Sequence, residues 1–398
     1  MSSSVPSGTP DQNAVVAGAK DGEGIEPPAP PRLRYEPGLE GLRSMLLFMV
    51  IAAHTLQFLV PTASIYHISA FGSLTTFYVL TGFLVTAIVM RNIERSGSIG
   101  YGAFMKRRFV RIGAPMLLFA VVHLLWSIFS GDPLIAPPGA KLLGELSSIV
   151  LLLTSTLNFA PTFDRNQRLD MVQMWSIGVD MQFYAIWPLM WVLILRYAKK
   201  TRTILLTLLA MFLVLQVTRG IEYILFHNNR LFPADVYQRP ENSFDAFLVG
   251  AFLCVLWKNH ALPSALMRKL WIPAMAIYIY QVIYVVSWSW VPYFGGYTIA
   301  ALYSMVIVVE SMREGSPLYR FFASAPMRII GRVSFTAFIW HLWVFVRVNQ
   351  FVTAEVWAPL RILIAYVALA IVTVIAWYVA ERPVMHLPPL RRAEPVKT

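Results

Sequence analysis

Leu39–Val60 reads LEGLRSMLLFMVIAAHTLQFLV, and this stretch decides the fold. It has the roughly 20 apolar residues that a helix needs to cross a bilayer. It also carries Arg43 near one end and His54 well inside. Helical geometry puts these two side chains about 20° apart around the axis and about 16 Å apart along it. One face of one helix therefore bears a guanidinium at the membrane edge and an imidazole at depth. Ionisable groups at that depth are costly and face a protein interior or a wet cavity. Two readings stay open on residue type alone. Either His54 hydrogen-bonds a neighbouring helix and Arg43 anchors topology, or both line a site.

The whole chain agrees with a membrane setting. Of 398 residues, 57% are apolar and only 14% charged, with a mean hydropathy of +0.59. That composition leaves too little polar surface for soluble domains. The net charge of +12 is explained by basic cytoplasmic loops and anionic lipid, and is weak support for nucleic acid. A single cysteine, Cys254, excludes an intramolecular disulfide or a multi-cysteine metal site and reads as a small core residue. No Walker loop, no GxGxxG fingerprint and no internal repeat is present, so nucleotide-driven pumping is not indicated.

Residues 1–37, rich in Ser, Gly, Pro and Ala, read as a disordered cytoplasmic tail, with no basic start and apolar core of a signal peptide. Residues 38–383 form the membrane domain, and 384–398 a short cytoplasmic tail. Eleven apolar runs fall at 39–60, 70–90, 109–130, 142–160, 175–195, 203–225, 244–257, 270–290, 297–312, 329–348 and 358–380. If 142–160 is a re-entrant or surface-lying segment within one external region, 131–174, then 25 of the 33 Lys and Arg residues fall inside. The expected fold is thus an all-α polytopic bundle of about ten transmembrane helices plus one extra helix, with both termini cytoplasmic. The 226–243 loop joins 131–174 on the outer face, and loops of this length are often functional.

Two further segments carry chemistry. In KRRFVRIGAP, Arg108 and Arg111 share a helical face at the start of the third run and suit phosphate, which arginine binds bidentately. Read blandly, they are a topology signal. In WSIGVDMQFYAIWPL, Ser176, Asp180 and Tyr184 follow at i, i+4, i+8. Asp180, a carboxylate in an apolar helix, needs a partner. It can orient His54, fixing the tautomer of a general base, or pair with an arginine. Ser176, Tyr184 and Gln182 are the candidate substrate-binding residues. Arg219, Glu222, Asp245, Glu310, Ser334, His341 and Glu381 are further polar residues in or near spans, and His341 reads as a packing histidine.

LEGLR with its apolar run to His54, the TGF element at 81–83, RRFVRIGAP, WSIGVDMQFYAIWPL, FDAFLVG, GRVSFTAFIWHLWVF and the ERP at 381–383 come in the order found in the acyltransferase-3 family of integral membrane O-acyltransferases. The chain resembles that family from about 38 to 383. The resemblance implies transfer of an acyl group, usually acetyl, from cytoplasmic acyl-CoA to a hydroxyl of an envelope glycan, a glycolipid or a small secondary metabolite such as a macrolide. It implies His54 as the catalytic histidine, Arg108 and Arg111 as acyl-CoA contacts, and Arg43 as the arginine opening the first helix. Asp180 stands where glutamate is usual, and Phe244 precedes Asp245 where arginine is common. The hydrolase-like extra domain of some members is not expected here.

The expected mechanism is direct transfer in a bacterial inner membrane. Arginines hold the acyl-CoA phosphates, the thioester lies at depth, and His54 takes the acceptor proton, with Asp180 assisting and no metal. An acyl-enzyme relay is the competing form. From another class, a transporter or flippase of lipid-linked sugars would use the same polar residues as a path.

Overall fold

The protein is described here from a computed structural model covering residues 35–60, 70–130, 138–160, 170–226, 238–284, 292–353 and 355–385. The expected tails lie almost wholly outside the described residues, as do most of the 226–243 loop and parts of 131–174. Among the described residues every regular element is a helix. In chain order these are α1 (Pro37–Leu59), α2 (Phe71–Ser96), α3 (Tyr101–Phe129), α4 (Pro138–Leu153), α5 (Trp175–Tyr197), α6 (Thr201–Phe226), α7 (Glu241–Lys258), α8 (Ser264–Tyr284), α9 (Tyr297–Met312), α10 (Pro317–Phe322), α11 (Ala325–Phe351) and α12 (Ala358–Ala376). A π turn, Trp377–Glu381, carries α12 onward to Met385.

Among the described residues eight helical segments are long and apolar enough to cross a membrane, α9 counting together with the turn before it as Tyr293–Met312. The other two of the ten expected spans, α7 and α8, are full helices that do not reach that measure. α7 carries Glu241, Asp245 and Lys258, and α8 carries Arg268, Lys269 and Gln281. The run at 142–160 is not a full span. It folds as α4, whose 16 residues fall short of the roughly 20 required, followed by a 3-10 turn at Leu157–Phe159. Three of the ten expected spans begin four or more residues earlier than the hydropathy suggests, α8 among them, at Ser264 rather than 270. α3 starts at Tyr101, two turns ahead of Arg108, and α11 starts at Ala325 rather than 329.

The site is framed by close helix packing. α1 and α11 run parallel, each opened by a proline in its first turn. Their starts, middles and ends meet in turn: Ser44 Oγ donates to the Met327 carbonyl and Arg332 faces Glu40 near the starts, His54 meets His341 further on, and Asn349 donates to the Phe58 carbonyl at the ends. Small residues allow this, because a Cβ on Gly331 would strike the Glu40 carbonyl. The second close seam joins α2 to α7. A Cβ on Gly82 would meet the Phe247 carbonyl, and one on Gly250 would meet the Val79 carbonyl. Phe247 stacks on Tyr78 at 4.6 Å and on Phe183 of α5 at 4.1 Å, tying three helices together.

Buried charge is paired, as a low-dielectric interior requires. Arg219 of α6 meets Asp245 of α7 at 2.7 Å, donates to the Asn242 carbonyl and lies over the Tyr297 ring. Arg347 of α11 meets Asp170 at 2.7 Å, and His123 of α3 sits between Asp170 and Glu145, holding α4 to the bundle. Glu310 pairs with Arg313, and Glu381 accepts from Thr336. The outward faces of α6 and α12 are apolar and exposed, with Leu213, Val214 and Val217 on one and Leu363, Val367 and Ile371 on the other. These are surfaces for lipid.

Candidate active site

Helix phase carries Arg43, Leu47 and Val50 of α1 onto one face, and that face lines a cavity of about 180 Å³. Arg108 and Arg111 come from α3; Ser176, Asp180 and Tyr184 from α5; Phe335 and Phe338 from α11; Glu381 from the turn after α12. Five of the sequence candidates besides Arg43 are therefore brought together around one space. The mouth is marked by Glu40, Arg332 and Met385, and the deep end by Val50, Ser73, Ser176 and Phe338.

At the mouth end, four arginines (Arg43, Arg108, Arg111 and Arg332) face three carboxylates (Glu40, Asp180 and Glu381). The Arg108 guanidinium lies over the rings of Phe104 and Tyr184, 5.3 and 4.8 Å from their centroids. Asp180 feels the charges of Arg108 and Arg43, while Glu381 feels Arg111 and Arg43. Asp180 Oδ1 and Arg43 Nε are buried with no hydrogen-bond partner among the described residues. A cationic excess with an idle guanidinium donor and an idle carboxylate oxygen is suited to an anionic, hydrogen-bonding ligand.

At the far end, His54 Nδ1 lies 2.9 Å from His341 Nε2, with the rings stacked at 5.0 Å and 24°. His341 is fully buried, and its Nδ1 lies 2.7 Å from the Phe338 carbonyl oxygen. Val50 and Phe338 place the floor of the cavity about one helical turn from this pair. The ring partner of His54 is thus another histidine, whereas Asp180 belongs with the arginines. Sequence reasoning missed His341 because residue type alone cannot distinguish a packing imidazole from a paired one. The available signal was depth: His54 is the 18th residue of α1, and His341 the 17th of α11.

Gln182 does not line the cavity. Its amide donates to the Ser155 carbonyl and to Asn158 Oδ1, both at 2.9 Å, and so ties α5 to the turn after α4.

The model of the acyltransferase domain family matches residues 36–381, nearly the whole described span. The chain belongs to the acyltransferase-3 family. It is 25% identical over 340 residues to the O-acetyltransferase OatA of Staphylococcus aureus (strain NCTC 8325 / PS 47), covering 80% of this chain and 52% of that one. It is 23% identical over 321 residues to the peptidoglycan O-acetyltransferase OatA of Listeria monocytogenes, covering 77% and 49%. The chain spans about half the length of these curated relatives. No solved structure matches it. In this acyltransferase-3 member, then, a cavity lined by arginines ends at Val50 and Phe338, about one helical turn short of a histidine pair that does not itself line it.

Proposed function

We propose that the protein transfers an acyl group, in the simplest case acetyl, from acyl-CoA to a hydroxyl of an envelope glycan or glycolipid, with His54 as general base. The observation that carries this reading is a cavity that runs from the arginine cluster to Val50 and Phe338, about one helical turn from the His54–His341 pair. Helix rise sets the Arg43-to-His54 distance at about 16 Å, within reach of an extended pantetheine arm. Arg43, Arg108 and Arg111 take the phosphates of the donor, and the idle Arg43 Nε supports that fit. The apolar walls from Leu47, Phe335 and Phe338 receive the arm and bring the thioester to the deep end. Ser176 and Tyr184 offer hydroxyls along this path. Asp180 offsets part of the positive charge of Arg43 and Arg108 without pairing with either.

At the deep end His54 removes the proton from the acceptor hydroxyl as its oxygen attacks the thioester carbonyl, giving the ester and free CoA. The basic loops favour a bacterial inner membrane with the arginine mouth and both termini on the cytoplasmic side. The acceptor then arrives from the outer face.

Membranes containing the protein, incubated with labelled acetyl-CoA, should release CoA and label an envelope fraction. His54→Ala should abolish this while the protein level and acetyl-CoA binding persist. Normal turnover by His54→Ala would end the proposal. Mass spectrometry of the labelled product separates a glycan or glycolipid acceptor from a small metabolite.

A further inference from the structure

We infer that His341 is a positioning residue that sets which nitrogen of His54 acts as the base; this rests on the reading of His54 as the general base. The argument starts at a backbone carbonyl, which can only accept a hydrogen bond. His341 Nδ1, 2.7 Å from the Phe338 oxygen, must therefore carry a proton. A neutral imidazole has one such proton, so His341 Nε2 is bare and can only accept. Its partner at 2.9 Å is His54 Nδ1, which must then be the donor. His54 has its single proton on Nδ1, and Nε2 holds the free lone pair.

One carbonyl thus fixes two tautomers in series. A charged His341 would reverse the chain. Its Nε2–H would donate to His54, which would hold its own proton on Nε2 and have no lone pair for a substrate. Packing keeps the arrangement in place: Phe338 and Phe345 wall His341, Phe58 stands at the edge of His54, and the imidazoles stack on each other.

The arrangement also serves the reaction. As the acceptor O–H breaks, the proton moves to His54 Nε2 and the new oxygen–carbon bond forms at the thioester carbonyl. His54 is then an imidazolium whose Nδ1–H still donates to His341 Nε2, a charge-assisted bond stronger than the one before it. When the carbon–sulfur bond breaks, the thiolate leaves with the proton from Nε2, and the pair is reset.

The test uses the full chain in lipid with labelled acetyl-CoA. His341→Phe should lower kcat about 10²- to 10³-fold, within the range general-base catalysis contributes, with the KM for acetyl-CoA within about twofold of the unaltered protein. His341→Gln should recover kcat to within about tenfold, because its amide oxygen can accept from Nδ1–H near where Nε2 stood. Equal losses in the two variants, or a KM that rises as kcat falls, would mark His341 as a packing residue and overturn the inference. Should the phenylalanine variant fail to accumulate, nitrogen-15 spectra of the histidine-labelled unaltered protein decide. His54 signals, assigned by their loss in His54→Gln, should show the proton on Nδ1. A proton on Nε2 refutes the positioning role but leaves the base intact, whereas an active His54→Ala removes the base itself.

Discussion

The guanidinium of Arg108 lies over the Tyr184 ring, 4.8 Å from its centroid, and 5.3 Å from the centroid of the Phe104 ring. Two aromatic faces therefore fix a flexible cation at the wall of the cavity. Stacking of this kind contributes ~0.5–2 kcal/mol. Tyr184→Leu should accordingly raise the KM for acetyl-CoA about 2- to 30-fold by freeing the side chain. Tyr184→Phe keeps the ring and should stay near the unaltered value. An equal rise in the two would assign the effect to the hydroxyl instead.

Arg108 and Arg111 differ in setting, and the difference is measurable. Arg108 is half-buried, while Arg111 is exposed at the mouth. Losing one charged hydrogen bond costs ~1.5–3 kcal/mol, so either alanine variant should weaken acetyl-CoA binding about 10- to 150-fold at low salt. Screening acts on exposed charge. Raising the salt should therefore erase much of the Arg111→Ala effect and little of the Arg108→Ala effect. Lysine at 108 recovers only part, since an ammonium lacks the planar fork.

The sequence made the membrane class, the span order and the arginine cluster legible, because each depends on local composition or on spacing along one helix. Arg43 and His54 share a face by phase alone, and the structure lines that face with the cavity as far as Val50. What stayed hidden was contact between helices. Asp180 could reach either a histidine or an arginine as far as residue type goes, and only the packing of α5 beside α1 and α3 sets it near Arg43 and Arg108. Gln182 looks like its neighbours but points to the turn after α4. His341 needed the parallel register of α1 and α11, which no single segment encodes. Helix starts were misplaced where polar first turns, such as Tyr101–Arg108, extend an apolar run.

Gly82 and Gly250 face each other's helices across the α2–α7 seam, and each fills the place a Cβ would take with partner backbone. Backbone cannot swing aside as a side chain does. Alanine at either position should cost ~1–3 kcal/mol by overpacking, seen as an earlier thermal unfolding of the detergent-solubilised protein. Gly113 has open space around its would-be Cβ, and Gly113→Ala provides the neutral control. Unchanged melting of Gly82→Ala would mean that the seam is looser than described.

The Arg219–Asp245 pair tests whether buried charge here is structural. Both residues are 1% exposed or less, and the pair joins α6 to α7 away from the arginine-lined cavity. Removing one partner strands the other in the interior, which costs ~3–5 kcal/mol, whereas removing both with apolar residues of similar volume is often close to neutral. Asp245→Leu and Arg219→Met should therefore each reduce the amount of folded protein in membranes sharply. The double variant should recover most of it, with a KM for acetyl-CoA near that of the unaltered protein. A double variant that folds fully yet fails to transfer the acyl group would give this pair a role in the reaction.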